Sequence, residues 1–280
     1  MFSTALYYNM THKYNCYGCL VLSKYEPHEL SKIEHINFIN CSYIELPHTL
    51  QNVKNIICDC CTSLKKLPSN MKQLELIRVA KCTSFEEVPN TFIKLKSLWL
   101  EQTMIKEIPN TLTNLVSLNI KGCTSVTNIP NTLTNLRTLY CDNTQVTDIP
   151  RTLINLEHLN ISFTKVREIP NTLIRLIILY CNNTLITVIP ESLRNIRVLK
   201  CGYTKIEEIP NTLINLAVLD CHNCTKLTKV VNSYNFTFCY DNCIWLKDNK
   251  DGFQLTLQKI EGYLDLHLIK DLCSLVLSFL

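Results

Sequence analysis

Among the 280 residues, Cys16 and Cys19, spaced Cys-x-x-Cys with His12 close by, come nearest to a chemical motif. Thiolate sulfur and imidazole nitrogen are preferred zinc donors, and this spacing is that of half a tetrahedral site. A matching second half is missing: Cys239 and Cys243 form another spaced pair, but at the far end of the chain. Nucleophilic catalysis would need a cysteine and a histidine converging in a cleft, with a third group orienting the base. His158 and His222 have no acidic partner that repeats with them, and Cys273 sits in an apolar run that reads as core. Five glycines leave no glycine-rich loop to cradle a phosphate. These residues predict no catalytic site, no bound metal and no cofactor. A metalloprotein or enzyme using the terminal cysteines and histidines is the alternative reading.

The other cysteines obey an order that the prolines reveal. All ten prolines fall in one register, Pro27, Pro47, Pro68, Pro89, Pro109, Pro130, Pro150, Pro170, Pro190 and Pro210, each step being 20 or 21 residues. Such a period is the mark of a repeat architecture. Aligned on the proline, the unit reads P-N-T-L-x-N-L-x-x-L-x-C-x-x-T-x-I-x-x-I, nearly whole from Pro130 to Ile149 and from Pro170 to Ile189. The longer units carry one extra residue where Cys-Thr-Ser or Cys-Thr-Lys replaces the threonine step, at Cys61, Cys82, Cys123 and Cys224. Ten of the sixteen cysteines lie in two columns of this alignment, one with Cys58, Cys141, Cys181, Cys201 and Cys221, the other with Cys41, Cys61, Cys82, Cys123 and Cys224. Buried free cysteine behaves as a small hydrophobe, so these ten read as reduced core residues.

The segment L-x-x-L-x-(C/I/L)-x-x-(T/C)-x-(I/V), carried from about Pro27 to Val231, resembles the leucine-rich-repeat signature. Its I-P-N-T-L part is similar to the short repeats of bacterial effectors, and related short repeats occur in leucine-rich-repeat proteins of large DNA viruses of amoebae. The chain departs from the family in one column, where the usual asparagine is replaced throughout by cysteine or threonine, from Cys41 to Cys224. The resemblance implies a solenoid, a horseshoe or arc, whose work is to bind another macromolecule.

The residues themselves lead to the same architecture. Leu139 and Cys141, separated by one residue, point to the same side of a short strand. One unit cannot cover its own apolar side, whereas stacked units cover one another. Ten strands are therefore expected in one parallel sheet on the concave face. Ile-Pro-Asn-Thr-Leu is too short for a long helix and carries a proline, so extended or single-turn 3₁₀ segments should line the convex face. Residues 1–26 break the repeat and read as an N-terminal cap, 27–231 as ten repeats, and 232–280 as a C-terminal cap with a helix over about 253–280, where Ile260, Leu264, Leu268, Leu272, Leu275 and Phe279 recur at spacings of three and four.

A net charge of +4, with basic and acidic residues interspersed, shows no basic stripe along the sequence, so a nucleic-acid partner is not expected. The N-terminus does not read as a signal peptide, and no window is long and apolar enough for a membrane span. A cytoplasmic, monomeric protein-binding module is the expectation, a structural array without a strong partner being a further alternative. Outward strand positions form its candidate face: Arg78, Trp99, Glu101, Tyr140, Asp142, Tyr180, Lys200 and Asp220, with Phe163 and Tyr203 at the strand exits. Aromatics and arginine lead among interface hot spots.

Overall fold

The computed structural model describes residues 7–9, 13–17, 26–41, 46–230 and 237–239. The helix expected over 253–280, and most of both expected caps, lie outside the described residues. The sheet begins with β1 (Tyr7–Asn9) and β2 (Lys13–Tyr17), followed by one helical turn, α1 (Pro27–Leu30). Ten repeat strands follow: β3 (His35–Ile39), β4 (Asn55–Asp59), β5 (Leu76–Arg78), β6 (Ser97–Trp99), β7 (Ser117–Asn119), β8 (Thr138–Tyr140), β9 (His158–Asn160), β10 (Ile178–Tyr180), β11 (Val198–Lys200) and β12 (Val218–Asp220). With β13 (Thr237–Cys239) they make one thirteen-stranded sheet whose order is the order of the chain. Every neighbouring pair is parallel except β1 with β2, which are antiparallel.

The leucine column sets the register. Leu118, Leu139, Leu159 and Leu179 lie opposite one another on successive strands, and all are fully buried. Between them the alternation expected of a half-buried strand holds: in β8, Leu139 is inside while Thr138 and Tyr140 are half-exposed. Inward positions two residues further on, such as Cys141 and Cys181, complete the layer at zero exposure.

Each unit leaves its strand through a residue in the left-handed region. This residue, Asn40, Cys60, Lys81, Gln102, Gly122, Asn143, Phe163, Asn183, Tyr203 or Asn223, has φ between 54 and 71° in all ten units. The conformation is held because the residue's N–H still pairs with the next unit, as Asn143 N does with Ser162 O at 3.0 Å and Tyr203 N with His222 O at 2.9 Å. The threonine or cysteine column follows at once. In 20-residue units the threonine hydroxyl donates to its own strand's carbonyl, Thr144 to Cys141 O at 2.6 Å and Thr184 to Cys181 O at 2.7 Å. In 21-residue units the thiol instead reaches one unit back, Cys123 to Leu100 O at 2.9 Å and Cys224 to Cys201 O at 3.0 Å. The extra residue closes a short turn after the cysteine, with Val126 N bonded to Cys123 O and Leu227 N to Cys224 O, both at 3.1 Å.

The convex side is a row of single turns after each proline, with Leu133 N bonded to Pro130 O at 3.4 Å and Leu136 N to Leu133 O at 3.0 Å. Its two recurrent polar residues tie each unit to the one before. Thr152 donates to Asn131 O at 2.6 Å, and Asn155 to Thr134 O at 2.9 Å; the same pair of bonds recurs at Thr132 and Asn135.

Candidate partner-binding face

The outward face is built from the middle strand position, the position two residues later, and the left-handed exit residue. Short carboxylates and amides stiffen it locally. Asn119 Oδ1 accepts from Lys121 N at 3.0 Å and Asn160 Oδ1 from Ser162 N at 3.1 Å, each closing a turn over its own backbone. Asp59 Oδ1 and Asn182 Oδ1 accept from the following unit, at Ala80 N (3.2 Å) and Gly202 N (2.7 Å).

On this frame the expected residues fall into three groups. Arg78 and Trp99 sit side by side on β5 and β6: the guanidinium lies 5.7 Å from the indole centroid, and its Nε is 2.8 Å from Asp59 Oδ2. Glu101, two residues beyond Trp99 in the same unit, is half-exposed. In the centre, Tyr140 is half-exposed, and burial of its ring pushes the phenol pKa up.

Asp142 differs from its sequence reading. Expected as an exposed contact, it is 5% exposed, because its carboxylate is enclosed by polar side chains of three units. Asn160 donates to Oδ1 at 3.0 Å, Asn143 to Oδ2 at 3.1 Å, and the Lys121 ammonium is 3.9 Å away. Burial raises its pKa against the opposing pull of Lys121. Asn119, Asn160 and Lys121 belong to the outward columns that strand alternation marks without being picked as contacts, and Asn143 is a member of the face that pattern reading did not select. The available signal was asparagine at strand-exit positions, where it bonds nearby backbone.

At the far end of the repeat array Lys200, Tyr180, Tyr203, Asp220 and His222 converge. The Lys200 ammonium lies 4.9 Å from the Tyr180 ring centroid. His222 hydrogen-bonds Asp220 through Nδ1 and meets Tyr203 edge-on, with centroids 5.0 Å apart. Its ring lies close over Gly202, so that a side chain there would push the imidazole aside. Phe163 and Tyr203 remain 55% and 54% exposed.

Metal and nucleophile chemistry find little geometry here. Among the described residues no group of three or more histidine, cysteine, aspartate or glutamate side chains is placed to hold a metal. Cys16 lies in β2 and Cys239 in β13, at opposite ends of the strand order, while Cys19, Cys243 and Cys273 lie outside the described residues. The eleven cysteines from Cys41 to Cys224 are unbridged, and burial raises the thiol pKa at Cys141 and Cys181. His158 is half-buried on the face, and desolvation lowers its pKa. Among the described residues no helix is long and apolar enough to cross a membrane.

No family model matches the sequence, and no curated protein does. Similarity appears in three dimensions. The functional domain of InlJ from Listeria monocytogenes, which includes a cysteine ladder, superposes with a TM-score of 0.61 at 16% identity over 83% of this chain and 63% of that one. This chain therefore spans less than two thirds of that domain. YopM, a leucine-rich effector protein from Yersinia pestis, gives 0.56 at 19% identity over 76% and 67% of the two chains. The Arabidopsis receptor kinase HAESA, solved with the peptide hormone IDA and the co-receptor SERK1, gives 0.56 at 17% identity over 76% and 47%.

Proposed function

We propose that this leucine-rich-repeat solenoid is a non-enzymatic module that binds a protein partner on its concave face as a cytoplasmic monomer. The observation that carries the reading is the placement of Phe163 and Tyr203. Both stand at the left-handed strand exit, which asparagine or glycine fills in five of the ten units, and both leave more than half of an aromatic side chain in solvent. A bulky residue in that region costs about 1–2 kcal/mol, so these units hold a residue that is worse for folding and better for contact. Tyr140 and Tyr180, two strands apart, continue the aromatic surface, with Arg78 and Trp99 nearer the other end. Protein recognition by the same fold in the HAESA complex supports a protein or peptide as the partner class. The unbridged cysteines from Cys41 to Cys224 support a reducing compartment.

Affinity capture from a cytosolic extract tests the reading. Wild-type protein should retain a discrete partner, and Trp99→Ala, Tyr140→Ala and Tyr203→Asn should each weaken capture by more than about 1 kcal/mol while leaving the melting temperature nearly unchanged. A partner retained by all three variants, but lost on removing residues 253–280, would place the function elsewhere.

A further inference from the structure

Basic residues that look dispersed along the sequence are gathered by the fold. Three positions per unit flank the leucine before each strand (L-x-N-L-x), and together they form the edge at which the strands start. Over ten units these positions hold nine lysines or arginines and three glutamates, and none of their side chains is buried. The surplus of six exceeds the chain's formal net charge of +4.

The position immediately before the strand begins as an alternation of sign, with Lys54 3.0 Å from Glu34 and Lys96 2.8 Å from Glu75. Val116 and Ile177 interrupt it, and an open groove lies at each interruption. One, of about 530 Å³, is lined by Lys94, Lys96 and Arg137, with Glu75 opposite them, beside Val116. The other, of about 270 Å³, is lined by Arg175 and Arg197, with Glu157, beside Ile177. Arg197 has Ile177 and Ala217 as its neighbours in the column, and among the described residues it forms no ion pair.

The same edge is also apolar. Ile93, Ile154, Ile174 and Ile214 occupy one repeat position and are 51–74% exposed. With Val116 they make up half of the large hydrophobic side chains exposed among the described residues. Aliphatic groups left in water beside a surplus of cations mark an interaction surface.

We infer that this edge docks an acidic protein segment that carries aliphatic side chains. Charge complementarity selects the acid, and the isoleucine column selects the aliphatic groups. A nucleic acid would satisfy only the charge: no phenylalanine, tyrosine or tryptophan stands at any edge position to stack a base. The surface uses none of the concave residues and is independent of the reading given to them.

Fluorescence anisotropy with a labelled synthetic peptide of alternating glutamate and leucine tests this, with poly-L-glutamate and a single-stranded oligonucleotide as competing probes. The peptide should bind wild-type protein and outcompete both polyanions. The exposed double variant Lys94→Glu/Arg197→Glu should weaken it by about tenfold or more, and Lys94→Gln/Arg197→Gln by less. Ile154→Ser/Ile174→Ser should weaken the peptide several-fold while leaving poly-L-glutamate unaffected, and Trp99→Ala should change nothing. Absence of peptide binding, indifference to the charge variants or the isoleucine variant, equal competition by the oligonucleotide, or loss with Trp99→Ala would each overturn the inference. The last result would reassign the peptide to the concave face and leave that reading standing.

Discussion

Thr103 and Cys123, twenty residues apart, converge on one oxygen, the carbonyl of Leu100, at 2.8 and 2.9 Å, with their own side-chain atoms 3.4 Å apart. Thr204 and Cys224 repeat the arrangement at Cys201 O. A carbonyl has two lone pairs, so one acceptor serves a donor from its own unit and another from the next. Thr103→Val and Cys123→Ala should each cost about 1 kcal/mol, and the double variant should cost more than both together, because only then does the oxygen lose both donors. Denaturant titration of the four proteins measures this; strict additivity would show that the two donors do not substitute for one another.

Leu139→Ala removes a fully buried side chain from the central layer and should destabilise by about 2–5 kcal/mol, whereas Tyr140→Ala beside it should cost far less. If the tyrosine change is the more damaging in thermal melts, the strand is inside out.

Phe163→Asn places in the left-handed exit a residue that tolerates it, and should raise stability by about 1 kcal/mol while lowering partner capture. A melting temperature that falls would mean that the ring supports the fold, and the recognition argument would lose its footing.

Asp142 titrates against the fold. Burial raises its folded-state pKa above the ordinary 3.8, so the stability associated with it is present below that value and is lost as pH rises through the raised pKa. The advantage of Asp142→Asn over wild type should therefore grow from pH near 3.8 to neutrality. A variant less stable than wild type at neutral pH would show that the bonds from Asn143, Asn160 and Lys121 outweigh the burial.

The ten-unit sheet was legible because its determinants are local and repeated: a proline ends the return segment and a leucine fills each layer at fixed distance. The strand exit was not, since asparagine, cysteine, glycine, lysine, glutamine, phenylalanine and tyrosine all occupy it. What that position requires is a backbone bond to the next unit, such as Phe163 N to Asn182 O at 2.8 Å, which any of these residues can make. The convex Thr and Asn were visible as a motif, but sequence does not say that Thr152 and Asn155 point one unit back. The half-exposed Trp99, Tyr140 and Tyr180 follow from strand alternation. The burial of Asp142 was not, because it depends on side chains about one repeat away on either side, Lys121 and Asn160.

The unit from Pro130 to Ile149 pairs its strand only with β7 and β9, and its Thr132 and Asn135 reach only the unit before. Such a block is interchangeable with its neighbours in a way that a segment of a globular core is not. Duplicating or deleting one in the gene would lengthen or shorten the sheet by one strand and change contacts only where the new neighbours meet. The concave stripe and the basic edge would change length in the same step, so the reach of this protein toward a ligand can be inherited, varied and selected in whole strands, one repeat at a time.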